Sequence, residues 1–189
     1  MSGTDEDDVP LAELVIDRAI VWSPAHGTRL YSNGYFGQPV GIRKPRTPEF
    51  DRPLELSLLE CAYLTDKGLL KVHDPITDRF LCRDDIIDIG QKKSDTFRDR
   101  LFVYTQLRER GFVVRPGLKF GTDFAVYEYG PGKDHAPFLV HVIPQRLGVM
   151  PLDIVRAGRL ATSVRKRFII ATVKTNGEIA YYSFVWHRP

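Results

Sequence analysis

The chain has 189 residues, 43% of them hydrophobic, which is enough for one large domain or two small ones with real cores. No apolar run approaches the ~20 residues of a membrane span, and the opening MSGTDEDDV has neither the basic start nor the apolar middle of a signal peptide. A cytoplasmic protein with no membrane association is therefore expected. The formal charge of +3 conceals an asymmetry: residues 1–9 hold four acids and no base, and the rest carries 27 bases against 20 acids. Residues 151–189 alone hold seven bases and two acids. A basic C-terminal region points to a polyanionic partner, most often nucleic acid.

In chain order, residues 1–9 read as a disordered acidic tail. Leu11 to Trp22 alternates loosely and predicts a strand, broken near Asp17-Arg18, and Ser23 to Gly27 reads as a turn. Residues 31–53 are rich in Gly and Pro and predict a long loop with at most a short strand. In that loop Arg43, Lys44, Arg46 and Arg52 outnumber Glu49 and Asp51, so contact with RNA or with a partner subunit competes with plain solvation. Leu54 to Leu64 reads as a helix, because Leu54, Leu58, Cys61 and Ala62 share one face and Gly68 stands where a C-cap belongs. A strand is expected over residues 69–73, a turn at Asp74-Pro75, and a short strand with part of a helix over 79–89. Ser94 is a credible N-cap for a helix from Asp95 to Arg110, with Gly111 as its stop. Strands follow over 112–115, 124–129 and 138–143, then a helix over about 152–165, and then two strands (168–173 and 179–186) joined by an Asn176-Gly177 turn. The pattern predicts an α/β (α+β) protein: a small mixed α/β domain over residues 10–90, then an α/β domain over 91–189 with a mixed central sheet.

The stretch with most chemistry is FGTDFAVYEYGPGKDH, Phe120 to His135. Period-2 alternation sets Phe124, Val126 and Glu128 on one side of a strand and Ala125, Tyr127 and Tyr129 on the other. Gly130-Pro131-Gly132 ends it and delivers His135 just before the next apolar run. Tyr127, His135 and Lys166, the last from the later basic segment ATSVRKRF, could converge on one point. That set suits cleavage of RNA by its own 2′-hydroxyl, which needs a base, an acid for the leaving oxygen and a cation for the crowded phosphate. Histidine is the natural acid near neutral pH; a tyrosine base, ordinarily near pKa ~10, needs cations such as Lys166 beside it. Taken singly, each has a plainer reading: a packed strand tyrosine, a solvated loop histidine, a lysine at a helix end.

Other motifs fail. Gly130-Pro131-Gly132-Lys133 lacks the earlier glycine and the following Ser/Thr of a P-loop. A metal-dependent nuclease of this sheet type would follow Asp123 with a Glu-x-Lys pair, and none follows. His26, His73, His141 and His187 form no ligand pattern and read as structural or exposed. Cys61 and Cys82 have no metal spacing and read as structural, a disulfide being the lesser alternative. No metal and no cofactor are expected.

LRERGFVVRPGLKFGTDFAVYEYGPGKDHAPFLV, RLATSVRKRFIIATV and the closing YYSFVW together resemble the archaeal tRNA-splicing endonucleases, or tRNA-intron lyases, closely over residues 94–189. YSNGYFGQPVGI and RPLELSLLECAYLTDKGLL extend the resemblance to the catalytic subunit of the crenarchaeal type. The resemblance implies a nuclease-like C-terminal domain, Tyr127 as general base, His135 as general acid and Lys166 as the cation on the transition state. It also implies that Arg159 clamps a flipped bulge base, with Trp186 where a partner of that clamp sits. The implied substrate is the bulge–helix–bulge of precursor tRNA, cut without metal to a 2′,3′-cyclic phosphate and a 5′-hydroxyl. A non-catalytic RNA-binding subunit of the same assembly and a metal-dependent DNA nuclease are the competing readings. Members assemble by pairing C-terminal strands and by inserting an acidic loop into a basic cleft. Here that loop is Lys174-Thr175-Asn176-Gly177-Glu178, with one acid and one base, so two copies are expected to work with two copies of a different, structural subunit.

Overall fold

A computed structural model of the chain describes residues 8–43, 45, 47–133, 136–163 and 166–183. The acidic tail falls mostly outside the described residues; its last acid, Asp8, pairs with Arg29. The chain forms two compact units, Met1–Leu101 and Phe102–Pro189, each with helices packed on a mixed sheet, which is the α/β class that the sequence pattern predicts.

In the first unit β1 (Leu11–Val15) and β2 (Arg18–Val21) pair as a hairpin, interrupted where the Asp17-Arg18 break is expected. The segment read as a turn and the start of a loop is instead a helix, α1 (Pro24–Gly34). Its sequence, PAHGTRLYSNG, is a poor helix former; the Ser23 hydroxyl accepts from the His26 amide and Pro24 supplies the first-turn φ. Burial of Leu30 and Tyr31 does the rest. Gly27 lets α1 approach the sheet, since a Cβ there would lie 3.0 Å from Leu54 Cβ. Within residues 31–53 the short strand is β3 (Gln38–Pro39).

The expected helix over 54–64 divides in two: β4 (Leu54–Ser57) pairs with β2, and only then does α2 (Leu58–Asp66) begin. Leu54 and Leu56 are fully buried in strand alternation, and Ser57 and Glu60 form a capping box that fixes the helix start. Buried Glu60 also accepts from the Gly37 amide at 2.8 Å, tying the start of the 37–53 segment to α2. β5 (Lys71–Asp74) runs parallel to β1, and β6 (Arg79–Leu81) pairs with β5 before α3 (Arg83–Lys93). The sheet order is β3-β4-β2-β1-β5-β6. Ser94 is the C-cap of α3 rather than the N-cap of the next helix. Phe97 opens α4 (Phe97–Glu109), and with Leu101 it packs in the first unit's core, so the two units divide inside this helix.

In the second unit Gly111, at φ +87, follows α4 as expected of a helix stop. β7 (Val113–Pro116), β8 (Phe124–Tyr127), β9 (Phe138–Val142), α5 (Pro151–Ser163), β10 (Arg167–Val173) and β11 (Ile179–Ser183) follow, in the sheet order β11-β10-β9-β8-β7. β9 and β10 are parallel, joined by the crossover through α5, and the other neighbours are antiparallel. β8 is covered on both faces: Phe124 meets Tyr104 of α4 at 5.9 Å, while Ala125 packs with Leu139, Phe168 and Ile154 of α5. That is why Phe124, Ala125 and Val126 are all buried instead of alternating. The buried Arg108 guanidinium donates to Tyr104 Oη and to the Val114 carbonyl, fastening α4 to β7.

Candidate active site

Strand direction decides what can meet in the second unit. β8 runs antiparallel to β9, and β10 runs parallel to it, so the end of β8 and the starts of β9 and β10 lie along one rim of the sheet. Val126 pairs with Phe138, and Phe138 with Arg167, so Tyr127 and Lys166 both stand at that rim. Their main chains are two strand spacings apart, roughly 10 Å. Between them runs the chain entering β9, where Lys166 Nζ donates to the Ala136 carbonyl at 2.6 Å and the Arg167 amide to Pro137. Half-buried Tyr127 packs its ring on the cluster of Ala125, Ala136, Leu139, Phe168 and Ile170, with Phe120 beside it.

Phe120 is a feature that strand alternation did not single out. Its ring has Lys166 Nζ at 5.8 Å and Lys119 Nζ at 4.9 Å from the centroid, and Arg167 lies 5.9 Å from the neighbouring Phe138 ring. The rim therefore gathers cations over aromatic faces. A field of this sign favours a phosphate. The sequence signal was available in Lys119-Phe120, but nothing local said that this turn would fold back towards Lys166.

Arg159 is exposed on α5, and Arg43 is exposed in the first unit. His135, Trp186, Lys44 and Arg46 lie outside the described residues. Cys61 and Cys82 are both free thiols; Cys61 is buried, which pushes its pKa up, and Cys82 is exposed at the start of α3. No described helix is long and apolar enough to cross a membrane.

At the opposite rim, Asp123 Oδ2 accepts from His141 Nδ1 at 2.7 Å and from the Val142 amide at 2.8 Å, so one carboxylate braces the entry to β8 against β9. The hydrogen bond to Asp123 raises the His141 pKa, against the opposing effect of burial, and the Asp123 and Asp153 charges add to the rise. A histidine whose pKa is raised by folding contributes stability that is fully present below its ordinary value of ~6.5 and is lost as pH climbs through the higher folded value. Accordingly, His141→Gln should lower the melting temperature more at about pH 6 than at about pH 9, which a thermal melt series reads directly.

Two units of mixed sheet and helices, the second carrying a phenol and an ammonium at one rim of its sheet, define an α/β protein of two units. Comparison with known proteins is specific. Residues 97–181 match the model of the tRNA intron endonuclease catalytic C-terminal domain, and residues 11–82 match that of the tRNA intron endonuclease N-terminal domain. The chain is 47% identical over 173 residues to a tRNA-splicing endonuclease of Hyperthermus butylicus, covering 91% of this chain and 95% of that one. It is 42% identical over 177 residues to that of Saccharolobus solfataricus and 40% over 177 to that of Saccharolobus islandicus, each covering 93% of this chain and 97% of the relative. The chain belongs to the tRNA intron endonuclease family.

Proposed function

We propose that this chain is the catalytic subunit of a tRNA-splicing endonuclease, cutting precursor tRNA at the bulge–helix–bulge of its exon–intron junctions without a metal. The observation that carries the reading is the strand register bringing Tyr127 and Lys166 to one rim, either side of the chain at Ala136, whose preceding residue is His135. In the reaction Tyr127 takes the proton of the 2′-hydroxyl, and the freed oxygen attacks the adjacent phosphorus. The bond from phosphorus to the 5′-oxygen breaks, and His135 protonates that leaving oxygen. A 2′,3′-cyclic phosphate and a 5′-hydroxyl result, while Lys166 offsets the charge that builds on the phosphoryl oxygens.

Substrate is held from several sides in this reading. Arg159 and Trp186 clamp an extruded bulge base between a cation and a ring. Arg43, Lys44 and Arg46 contact phosphate from the 37–53 segment, which is pinned at its base by Val40 N to Pro53 O and by the paired Thr28 and Phe50 bonds. Because stacking is worth about 1–3 kcal/mol per base, Arg159→Ala should weaken binding of bulged RNA by roughly tenfold or more and spare unbulged duplex. Equal losses on both RNAs in a titration would remove the clamp.

The working form is two copies with two of a different structural subunit. Glu178, the one acid in the 174–178 loop, is already paired with Lys174 at 3.1 Å, so the loop has little charge left to offer a basic cleft. The test is cleavage of a bulge–helix–bulge RNA in EDTA by the chain alone and with candidate partners, with mass measured in solution. Cleavage in chelator only with a partner supports the reading. No cleavage with any partner leaves a structural RNA-binding subunit, and an active tetramer of this chain alone overturns the two-subunit form.

A further inference from the structure

We propose that Lys119 is a second substrate-binding cation of this site, holding an RNA phosphate one nucleotide step from the bond being cut. The inference rests on the proposed reading of the Tyr127–Lys166 rim and adds a residue to which that reading gives no role. Three observations converge on it. First, Lys119 Nζ and Lys166 Nζ lie over the same Phe120 ring, at 4.9 and 5.8 Å, so both ammonium groups share one corner of the rim. Second, the turn that carries Lys119 is built rather than loose. Leu118–Phe120 is a single 3-10 turn, closed by Phe120 N to Gly117 O at 2.8 Å and Gly121 N to Leu118 O at 3.0 Å. Its base is tied by Gly117 N to Asp123 O at 2.9 Å, and the buried Thr122 hydroxyl bonds to the Gly117 and Phe124 carbonyls.

Third, Lys119 is exposed and has no carboxylate within ion-pair distance among the described residues. Exposed cations elsewhere on this chain are commonly matched: Arg18 with Glu55, Arg79 with Asp85, Arg83 with Asp66 and Lys174 with Glu178. A lysine on a tied turn, against the same ring as a second cation and with no carboxylate partner among the described residues, leaves positive charge at this corner for an anion. With Lys166 assigned to the scissile phosphate in the proposed reading, the anion that a polynucleotide has left for Lys119 is the phosphate next to it. Lys119 touches neither the attacking oxygen nor the leaving oxygen, so its contribution is to binding and register.

The experiment uses the full chain in its active assembly and a bulge–helix–bulge RNA carrying a 2′-deoxy residue at each scissile position, which binds but cannot be cut. Affinity is titrated over a range of salt for wild type, Lys119→Ala and Lys119→Arg. Losing one phosphate contact should reduce the slope of log K against log salt by about 0.7–0.9 and weaken binding severalfold at low salt. Lys119→Arg should restore the slope, and the melting temperature should not move. On the unblocked RNA, KM should rise for Lys119→Ala with kcat nearly unchanged. An unchanged salt slope, or a loss that follows a lowered melting temperature and is not rescued by Arg, overturns the proposal. Wild-type protein that binds the blocked RNA yet fails to cut the unblocked one in chelator sinks the catalytic reading instead, while the slope still decides Lys119.

Discussion

Replacing Lys166 with alanine is expected to slow cleavage of a bulged precursor RNA by at least about 10²-fold while the protein still folds and still binds RNA. The size follows from the role: removing one group aimed at charge that develops only in the transition state typically costs about 10²–10³ in kcat. The folded state loses much less. Lys166 is half-buried and donates to the Ala136 carbonyl, a bond whose net worth is about 1 kcal/mol. Tyr127→Phe isolates the chemistry more cleanly, because the ring that packs on Ala125, Leu139 and Phe168 is kept and only the proton acceptor is removed. It should cost about 10²-fold or more in single-turnover rate, and the residual activity should lose its dependence on a high-pKa base. Wild-type rates in both variants would mean that the chemistry is not at this rim.

The second unit was legible in sequence almost element by element, and the first was not, for reasons visible in particular residues. From Val113 onward the strands are short apolar runs, β7 to β9 set off by Gly or Pro, and Asn176-Gly177 marks the turn from β10 to β11, so local pattern and tertiary structure agree. In the first unit Leu54 and Leu56 alternate for only four residues before a real helix begins, and a window long enough to detect α2 absorbs β4 into it. α1 is the converse case: two glycines and few apolar residues give it little helical signal, and its helix depends on the Ser23 cap and on contact with Leu54. At the site, Tyr127 and Lys166 could be singled out because each sits at an element end beside a turn or a basic run. Lys119 and Asp123 could not, since what makes them matter, the shared Phe120 ring and the reach to His141, is long-range contact that no local period encodes.

Gly117→Ala should be among the most damaging single-methyl changes in the second unit. The backbone there is φ −95, ψ 6, which any residue can adopt, so conformational freedom is not why glycine is needed. Space is the reason: an added Cβ would lie 2.4 Å from Thr122 Oγ1 and 2.8 Å from both the amide nitrogen and the carbonyl carbon of Phe124. Phe124 cannot retreat, because it pairs with Pro116 on one side and Val140 on the other and its ring rests on Tyr104. Overpacking against fixed backbone costs about 1–3 kcal/mol, sometimes more, and in a unit of this size each kcal/mol lowers the melting temperature by about 4–8 °C. Tyr127 is three residues further along the same strand, so a displaced Phe124 also moves the proposed base, and kcat should fall with stability. Gly121 supplies the control. A Cβ there meets open space, but its φ of +62 lies in the left-handed region, so Gly121→Ala carries only the conformational cost of about 1–2 kcal/mol. Gly121→Asn should recover part of that, because a short polar side chain tolerates the same region. Thermal melts and single-turnover rates on the three variants separate the two causes. If asparagine rescued position 117 as well as position 121, the steric account of the turn, and with it the rigid presentation of Lys119, would be wrong.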